Sequence, residues 1–132
     1  MARGAVTWYR PATMGIKLDL TATLSDPRIY EAGETIFQEF DMGAEMYIVL
    51  EGEVELSIGS NVVETLGPGE PFGEMALIDQ APRVAGATAK TRCSLAVIPE
   101  KRFLFMVQTT PQFALQIMKV MADRLRKMNA RL

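Results

Sequence analysis

The sequence predicts a mainly β domain, built as a compact barrel or roll, that is followed by a pair of C-terminal helices. From about Arg28 to Ile98, short apolar segments recur with turn residues between them, which is typical of short antiparallel strands. Apolar and polar residues alternate along Val54–Ile58, so these strands are expected to have one buried face. From Pro99 onward the apolar residues change to a helical period.

The composition indicates one globular domain. A chain of 132 residues, of which 48% are hydrophobic, is long enough to bury a core without disulfides or a metal. Its net charge of −2 does not favour binding to DNA, RNA or an acidic membrane. Apolar runs such as MYIVL and FLFMV are too short to span a bilayer, and the N-terminus lacks the layout of a secretory signal.

The chain contains one cysteine and no histidine. Cys93 has no disulfide partner within the chain, which is typical of a protein in the reducing cytoplasm. Histidine is the commonest general base and metal ligand, and its absence together with a single cysteine excludes the usual zinc and iron–sulfur sites. We therefore expect a cytoplasmic binding protein and not an enzyme, with no catalytic residues, no metal and no cofactor.

The first segment of the chain differs from the rest. Residues 1–25 are weakly patterned, because Pro11 and Gly15 interrupt their few apolar positions, and they predict a weakly structured lead-in. Residues 26–132 are predicted to form the folded domain, with the β region over residues 28–98.

Glycines punctuate the β region, and a helix is predicted at one place within it. Gly52, Gly59 and the Gly67–Gly69 turn separate the predicted strands. The segment that follows this last turn is where we expect the short helix.

The C-terminal helices are predicted over residues 99–132. PEKRFLFMVQT indicates a short helix, and Pro111 suits the first turn of a longer one. Apolar residues of the last helix form a heptad stripe: Ala114, Met118, Met121, Leu125, Met128 and Leu132. Beside it lies a second strip of Phe113, Ile117 and Val120. One strip can pack on the barrel while the other meets a second copy of the chain, the interpretation we favour, or both can form one wide core-facing surface.

The most informative segment is Phe72–Ala89, FGEMALIDQAPRVAGATA. A short helix that begins after Gly73 points free backbone N–H groups outward, and such groups bind anions. About ten residues later, the planar donor fork of Arg83 suits a phosphate. An ionised Glu74 can only accept hydrogen bonds, so it suits a donor such as a sugar 2′-OH. A pocket for both a phosphate and a ribose hydroxyl indicates a nucleotide.

This segment resembles the phosphate-binding cassette of cyclic nucleotide-binding domains, whose usual form is FGE, a few apolar residues, a short loop, and PR followed by small residues. Gly33–Leu56 is similar to the family's early strands and Ala89–Phe103 to its last strand and exit. PQFALQIMKVMADRL resembles the long helix of catabolite-activator-type regulators. The resemblance covers roughly residues 28–132, and it implies an antiparallel β-roll or jelly roll (a double-stranded β-helix) followed by a C-terminal helix pair.

The resemblance implies a role for each cassette residue. Arg83, in the Pro82-Arg83 pair, would hold the cyclic phosphate, Glu74 would accept the ribose 2′-OH, and Gly73 would admit the sugar. From the residues alone, Arg83 could instead be a surface arginine with its stem on apolar groups, and Glu74 an acid that stabilises a helix N-terminus. Backbone N–H groups are expected around the phosphate, from Met75, Ala76, Leu77 and Val84.

Further residues are implied around the base and sugar. The apolar lining would come from Leu66, Phe72, Val84 and Ala85, each of which is equally explained as ordinary core. On the last helix, Asn129 falls where catabolite-activator-type regulators cap the base with polar side chains. An amide there could meet adenine with one donor and one acceptor, although a solvated residue near the helix end explains it as well.

Two residues depart from the family pattern. Val84 stands where the family usually has Ala, Ser or Thr, and Gly86 stands where Thr or Ser is common. A hydroxyl after the arginine resembles the arrangement of cGMP-preferring members, and valine cannot make that hydrogen bond. The resemblance therefore implies a cyclic nucleotide sensor that favours cAMP over cGMP. The alternative is an orphan scaffold or dimerisation module that no longer binds nucleotide.

The implied partners are a cyclic nucleotide, a second copy of the chain through the last helix, and an unknown downstream protein. Catabolite-activator-type regulators follow their long helix with a helix-turn-helix domain, for which this sequence shows no segment. We therefore expect that this chain alone does not bind nucleic acid, and its composition predicts no membrane binding. It is expected to be either a stand-alone sensor that acts on another chain or part of a longer protein.

Overall fold

The computed structural model describes residues 27–131, without the side chains of residues 128, 130 and 131. The lead-in predicted over residues 1–25 lies outside the described residues, as do Leu132 and the side chain of Met128 in the predicted heptad stripe. Within the described part, eight strands and three helices follow one another along the chain: β1 Arg28–Tyr30, β2 Thr35–Phe37, β3 Glu45–Glu51, β4 Val54–Ile58, β5 Asn61–Leu66, β6 Pro71–Phe72, α1 Met75–Ile78, β7 Gly86–Ala89, β8 Cys93–Pro99, α2 Glu100–Thr109 and α3 Pro111–Arg131.

The strands form two four-stranded antiparallel sheets, which confirms the predicted β-roll. One sheet has the order β1-β8-β3-β6 and the other the order β2-β7-β4-β5. Strands that follow one another along the chain often belong to different sheets. Strands far apart in the chain, such as β3 and β8, therefore pair with each other. The short helix α1 follows directly after β6, at the position predicted for it.

Strand β3 is buried on both of its faces. Met46 and Ile48 face the helices, where they pack with Phe113 and Ile117 of α3. The alternate residues of β3 face the opposite sheet and pack in a second cluster, whose members include Tyr47, Val49, Val54, Leu66, Phe72 and Leu95. The roll therefore has a core between its sheets and another beneath its C-terminal helices.

The last helix shows two distinct apolar surfaces. Phe113 and Ile117 are buried against the roll, and Met121, although it belongs to the predicted heptad stripe, packs with them. Met118 and Leu125, of the predicted heptad stripe, are 55% and 61% exposed. The alternative of a single wide core-facing surface is therefore wrong for these two residues, because the part of the helix surface that packs on the roll does not extend to them.

None of the helices within residues 27–131 has the length and apolar character needed to cross a membrane.

Candidate functional site

The Arg83 side chain lies inside the roll and is only 6% exposed. Its Nη1 donates a hydrogen bond to the backbone carbonyl of Gly73, and its Nη2 donates one to the carbonyl of Glu45. The donor–acceptor distance is 2.8 Å in both. The guanidinium carbon lies 4.0 Å from the centre of the Phe37 ring, a cation–π contact. The alternative of a surface arginine is therefore wrong for this residue.

The backbone around Arg83 fixes where its side chain enters the roll. The Arg83 N–H donates to the carbonyl of Asp41, and the Phe40 N–H donates to the carbonyl of Arg83, each over 2.8 Å. These two hydrogen bonds clip the Pro82–Val84 segment to the loop between β2 and β3. Arg83 is thereby directed inward, although its neighbour Val84 is 65% exposed.

Two glycines leave the space that the guanidinium occupies. A Cβ added at Gly43 would overlap the guanidinium of Arg83, and one at Gly73 would lie 2.9 Å from its Nη1. Gly73 also has a φ of +82°, which favours glycine over residues with a side chain. The small residue in the cassette is thus required by its backbone conformation and by the close approach of Arg83.

Arg83 retains a donor without a protein partner. Its Nε is buried and makes no hydrogen bond within residues 27–131. Burial lowers the pKa of the Arg83 guanidinium because desolvation disfavours the cation, while the nearby Tyr47 and Glu45 oppose that effect. An arginine stays protonated under these conditions, so the roll contains a buried positive charge with one unused N–H group.

Glu74 is also buried, at 3% exposure. Both oxygens of its carboxylate accept hydrogen bonds from Nη1 of Arg124 in α3, over 3.2 and 3.1 Å. The Nη2 of the same arginine donates to the carbonyl of Pro71. The acid of the cassette is thus joined to the last helix by an ion pair.

The helix α1 starts directly after Glu74, which adopts a helical backbone conformation. The Leu77 N–H donates to the carbonyl of Glu74 over 3.0 Å, so this amide is used within the turn. The Met75 and Ala76 amides stand in the first turn, where a helix has no internal acceptors. Within α1, these two amides are the ones that remain suited to an anion.

The other predicted site residues are divided between core and surface. Leu66 and Phe72 are fully buried between the sheets with Tyr47, whose ring stacks on Phe72 with centroids 5.1 Å apart. Leu77 packs in the core beneath the helices, Ala85 is half-buried, and three residues are exposed, namely Met75, Pro82 and Asn129. The structure thus brings Gly73 and Arg83 into contact, whereas the Asn129 side chain lies exposed on α3.

Several residues of this site were missed in the sequence. Phe37, Gly43 and the carbonyl of Glu45 contact Arg83, but their contributions are a ring face, an absent side chain and a backbone atom. Arg124 contacts Glu74 across 50 positions of the chain. Arg124 lies on the last helix in a stretch rich in basic residues. The sequence alone therefore did not distinguish it from a solvated charge.

A family model for the cyclic nucleotide-binding domain matches residues 27–110. The chain belongs to this family. It is 33% identical to the cyclic AMP receptor protein of Thermus thermophilus, over 84% of this chain and 54% of that protein. It is 40% identical to the cAMP-dependent protein kinase regulatory subunit of Schizosaccharomyces pombe, over 57% of this chain and 18% of that protein.

The fold of this cyclic nucleotide-binding domain is similar to the crystal structure of the Thermus thermophilus catabolite activator protein. The two superpose with a TM-score of 0.79 and 26% identity, over 94% of this chain and 60% of the other. The chain thus spans about half the length of the curated receptor protein that it matches.

A first prediction concerns the space around Arg83 in this cyclic nucleotide-binding domain. Gly43→Ala should lower the free energy of unfolding by about 1–3 kcal/mol, because the new methyl group forces the guanidinium out of its packed position. Gly67→Ala is the matched control, since a Cβ there meets nothing within 4 Å. Urea denaturation of both variants measures the difference, and equal stabilities would contradict the packing described for Gly43.

A second prediction concerns Tyr47, which is 4% exposed and donates its hydroxyl hydrogen to Glu45 Oε1 over 3.1 Å. Burial, with the charge of Glu45, raises the pKa of Tyr47 from 10.0 to about 12. The folded state therefore holds this proton more tightly than the unfolded chain, and stability is lost as the pH rises from 10 to 12.

Over this pH range, ionisation of Tyr47 is expected to lower the free energy of unfolding by up to about 2–3 kcal/mol. Tyr47→Phe should have a flatter dependence of the unfolding free energy on pH, measured by urea denaturation from pH 9 to 12. The other titrating groups are common to both proteins and cancel in the comparison. Parallel curves would show that Tyr47 ionises normally.

Proposed function

We propose that residues 26–132 act as a cyclic nucleotide sensor that favours cAMP over cGMP and signals through its C-terminal helix. In this proposal the chain binds its ligand without chemical turnover and needs no cofactor. The observation that carries it is a buried cation with an unused donor, the Nε of Arg83, in the cassette that also contains the buried acid Glu74.

The phosphate is assigned to Arg83. A cyclic phosphate carries one negative charge, and a buried guanidinium that has only neutral hydrogen-bond acceptors attracts it strongly in a low-dielectric interior. The Met75 and Ala76 amides and that of Val84 would add donors around the same group. The Val84 side chain is largely exposed, whereas the guanidinium lies inside the roll.

The ribose is assigned to Glu74. Its two oxygens accept hydrogen bonds from one nitrogen of Arg124, and a carboxylate has acceptor sites for about four donors. A 2′-OH can therefore be added to this carboxylate while part of the ion pair is kept. Gly73, which precedes Glu74 and contacts Arg83, has no side chain that would stand in the way of the sugar.

The preference for cAMP rests on Val84 and on the relatives. Valine has no hydroxyl to bond guanine, so the residue after Arg83 gives cGMP no advantage. Proteins similar to this chain are named as a cyclic AMP receptor and as a regulatory subunit of a cAMP-dependent kinase. On α3, the exposed amide of Asn129 is the residue we assign to the base.

Signalling is assigned to the ion pair between Glu74 and Arg124. A ligand can shift an equilibrium only if it binds one arrangement of the last helix better than another. Because Arg124 connects α3 to the carboxylate that would hold the sugar, ligand binding changes the contacts of that helix directly. A tenfold preference corresponds to about 1.4 kcal/mol, which is enough to regulate a partner.

We assign dimerisation to the exposed residues of the heptad stripe on α3. Met118 and Leu125 are large apolar residues that the roll leaves uncovered, and they occur at heptad spacing. A second copy of the chain could bury them in a parallel pair of helices. The target that reads the signal would be a further protein or segment, and the chain alone would not bind nucleic acid.

Two observations favour the alternative of an orphan scaffold. Both Nη atoms of Arg83 already bind carbonyls, and Leu66 and Phe72 fill the space between the sheets. In that case the arginine would serve the fold, and Arg124 would simply dock the last helix. The two functions differ in a direct measurement of nucleotide affinity.

Calorimetry should detect cAMP binding, with weaker binding of cGMP. Arg83→Ala should lower the affinity at least about 30-fold, because a buried charge-assisted contact is lost. The control Arg92→Ala removes an arginine whose side chain is 67% exposed, and it should bind normally. 2′-Deoxy-cAMP tests Glu74 in the unchanged protein and should bind much more weakly.

The outcomes of this titration separate the two functions. No binding of either nucleotide to the folded chain would establish the scaffold. An affinity change below threefold in Arg83→Ala would remove this residue from the site, and equal affinity for the deoxy analogue would remove Glu74.

The dimer has a test of its own. Met118→Glu combined with Leu125→Glu should convert a dimer to a monomer in analytical ultracentrifugation, because four carboxylates would face one another in the paired helices. Val62→Glu changes a residue of β5 that is 52% exposed and should leave the dimer intact. A wild-type chain that is monomeric at every concentration would contradict the assignment.

A further inference from the structure

Strand β5 carries a glutamate on the face that points toward the core. Side chains alternate along a strand, so Glu64 shares its face with Leu66, which is fully buried. The register agrees, since Glu64 lies opposite Leu56 and Leu66 lies opposite the buried Val54. The Glu64 side chain is 19% exposed, and a carboxylate that is largely removed from water needs a compensating partner.

The partner of Glu64 is the same arginine that holds Glu74. Arg124 Nε lies 3.2 Å from Glu64 Oε1, while its Nη1 lies 3.1 Å from Glu74 Oε2. The Nζ of Lys127, one helical turn later, lies 3.8 Å from the other oxygen of Glu64. The Arg124 guanidinium is therefore placed between two carboxylates that come from different parts of the roll.

The two contacts of Arg124 are not equivalent. Glu74 accepts hydrogen bonds from Nη1, but the buried Nε has no hydrogen-bond partner among the described residues, although the Glu64 oxygen is near. The attraction to Glu64 is thus electrostatic, and a small rotation of the guanidinium would add a hydrogen bond. A cleft of about 170 Å³ lies beside this pair between α3 and the roll, and it is lined in part by Glu64, Arg124 and Lys127.

We propose that Glu64 is a positioning residue, which shares Arg124 with Glu74 and keeps the last helix anchored when Glu74 receives a ligand. This inference rests on the function proposed above. When a sugar hydroxyl donates to Glu74, Arg124 turns its Nε to Glu64, and α3 stays docked on β5. Without Glu64, Arg124 has one carboxylate left, and the hydroxyl has to compete for it.

The first experiment needs no nucleotide. Hydrogen exchange of the backbone amides of residues 119–127 should be several-fold faster in Glu64→Gln than in the wild type. In an Arg124→Gln background the same substitution should have little further effect, because the anchor is already lost. Glu55→Gln removes an acid from the neighbouring strand, where Glu55 lies opposite Thr65, and serves as the matched control.

The second experiment uses cAMP and calorimetry. Glu64→Gln should lower the affinity about three- to fivefold, the range expected for loss of one partly buried ion pair. Glu55→Gln should change it less than 1.5-fold. The effect of Glu64→Gln should disappear in the Arg124→Gln background, which a role in general stability would not produce.

The outcomes distinguish this inference from the proposed function. If the wild type binds cAMP and Glu64→Gln binds equally well, the role of Glu64 is overturned while the sensor stands. If no nucleotide binds, the sensor is overturned, and the exchange experiment decides whether Glu64 anchors α3 through Arg124. Exchange rates equal to those of Glu55→Gln, or an effect that persists undiminished without Arg124, would overturn the inference.

Discussion

The Arg83 guanidinium lies inside the β-roll, with its two Nη atoms on backbone carbonyls and its plane near the Phe37 ring. Removing such a cation from water costs several kcal/mol, and carbonyl dipoles and a ring face offset only part of that cost, since neither carries a full charge. Gly43 and Gly73 leave the space for it, and the backbone clip to Asp41 directs it inward. The architecture of the cassette follows from keeping this charge in place.

The second buried ion, Glu74, connects the cassette with the last helix. Its partner Arg124 comes from a helix that also packs Phe113 and Ile117 against the roll, so polar and apolar contacts fix the same element. A buried ion pair adds little net stability, because desolvation offsets most of the attraction. Its directional contacts fix the position of α3 on the roll. In the proposed function, a ligand that engages Glu74 would therefore act on this helix directly.

Local chemistry made much of the fold and part of the site predictable. The alternation of β4, the proline at the start of α3 and the glycine before α1 each determine backbone behaviour within a few residues. Arg83 and Glu74 were predicted because their functional groups suit a phosphate and a hydroxyl. Leu66 and Phe72 remained ambiguous in the sequence, since an apolar side chain suits a core and a pocket wall equally well, and the structure packs both between the sheets.

The sequence by itself determined that a β region with one short helix precedes two C-terminal helices. It also determined the family and the two charged residues at the centre of the cassette, because these depend on nearby residues or on a compact motif. The tertiary structure decided what each charge meets. Arg83 meets carbonyls and Phe37, and Glu74 meets Arg124, because the antiparallel sheets and the returning helix bring together groups that lie tens of residues apart. Such contacts depend on the path of the whole chain, and the spacing of residues in the sequence does not predict them.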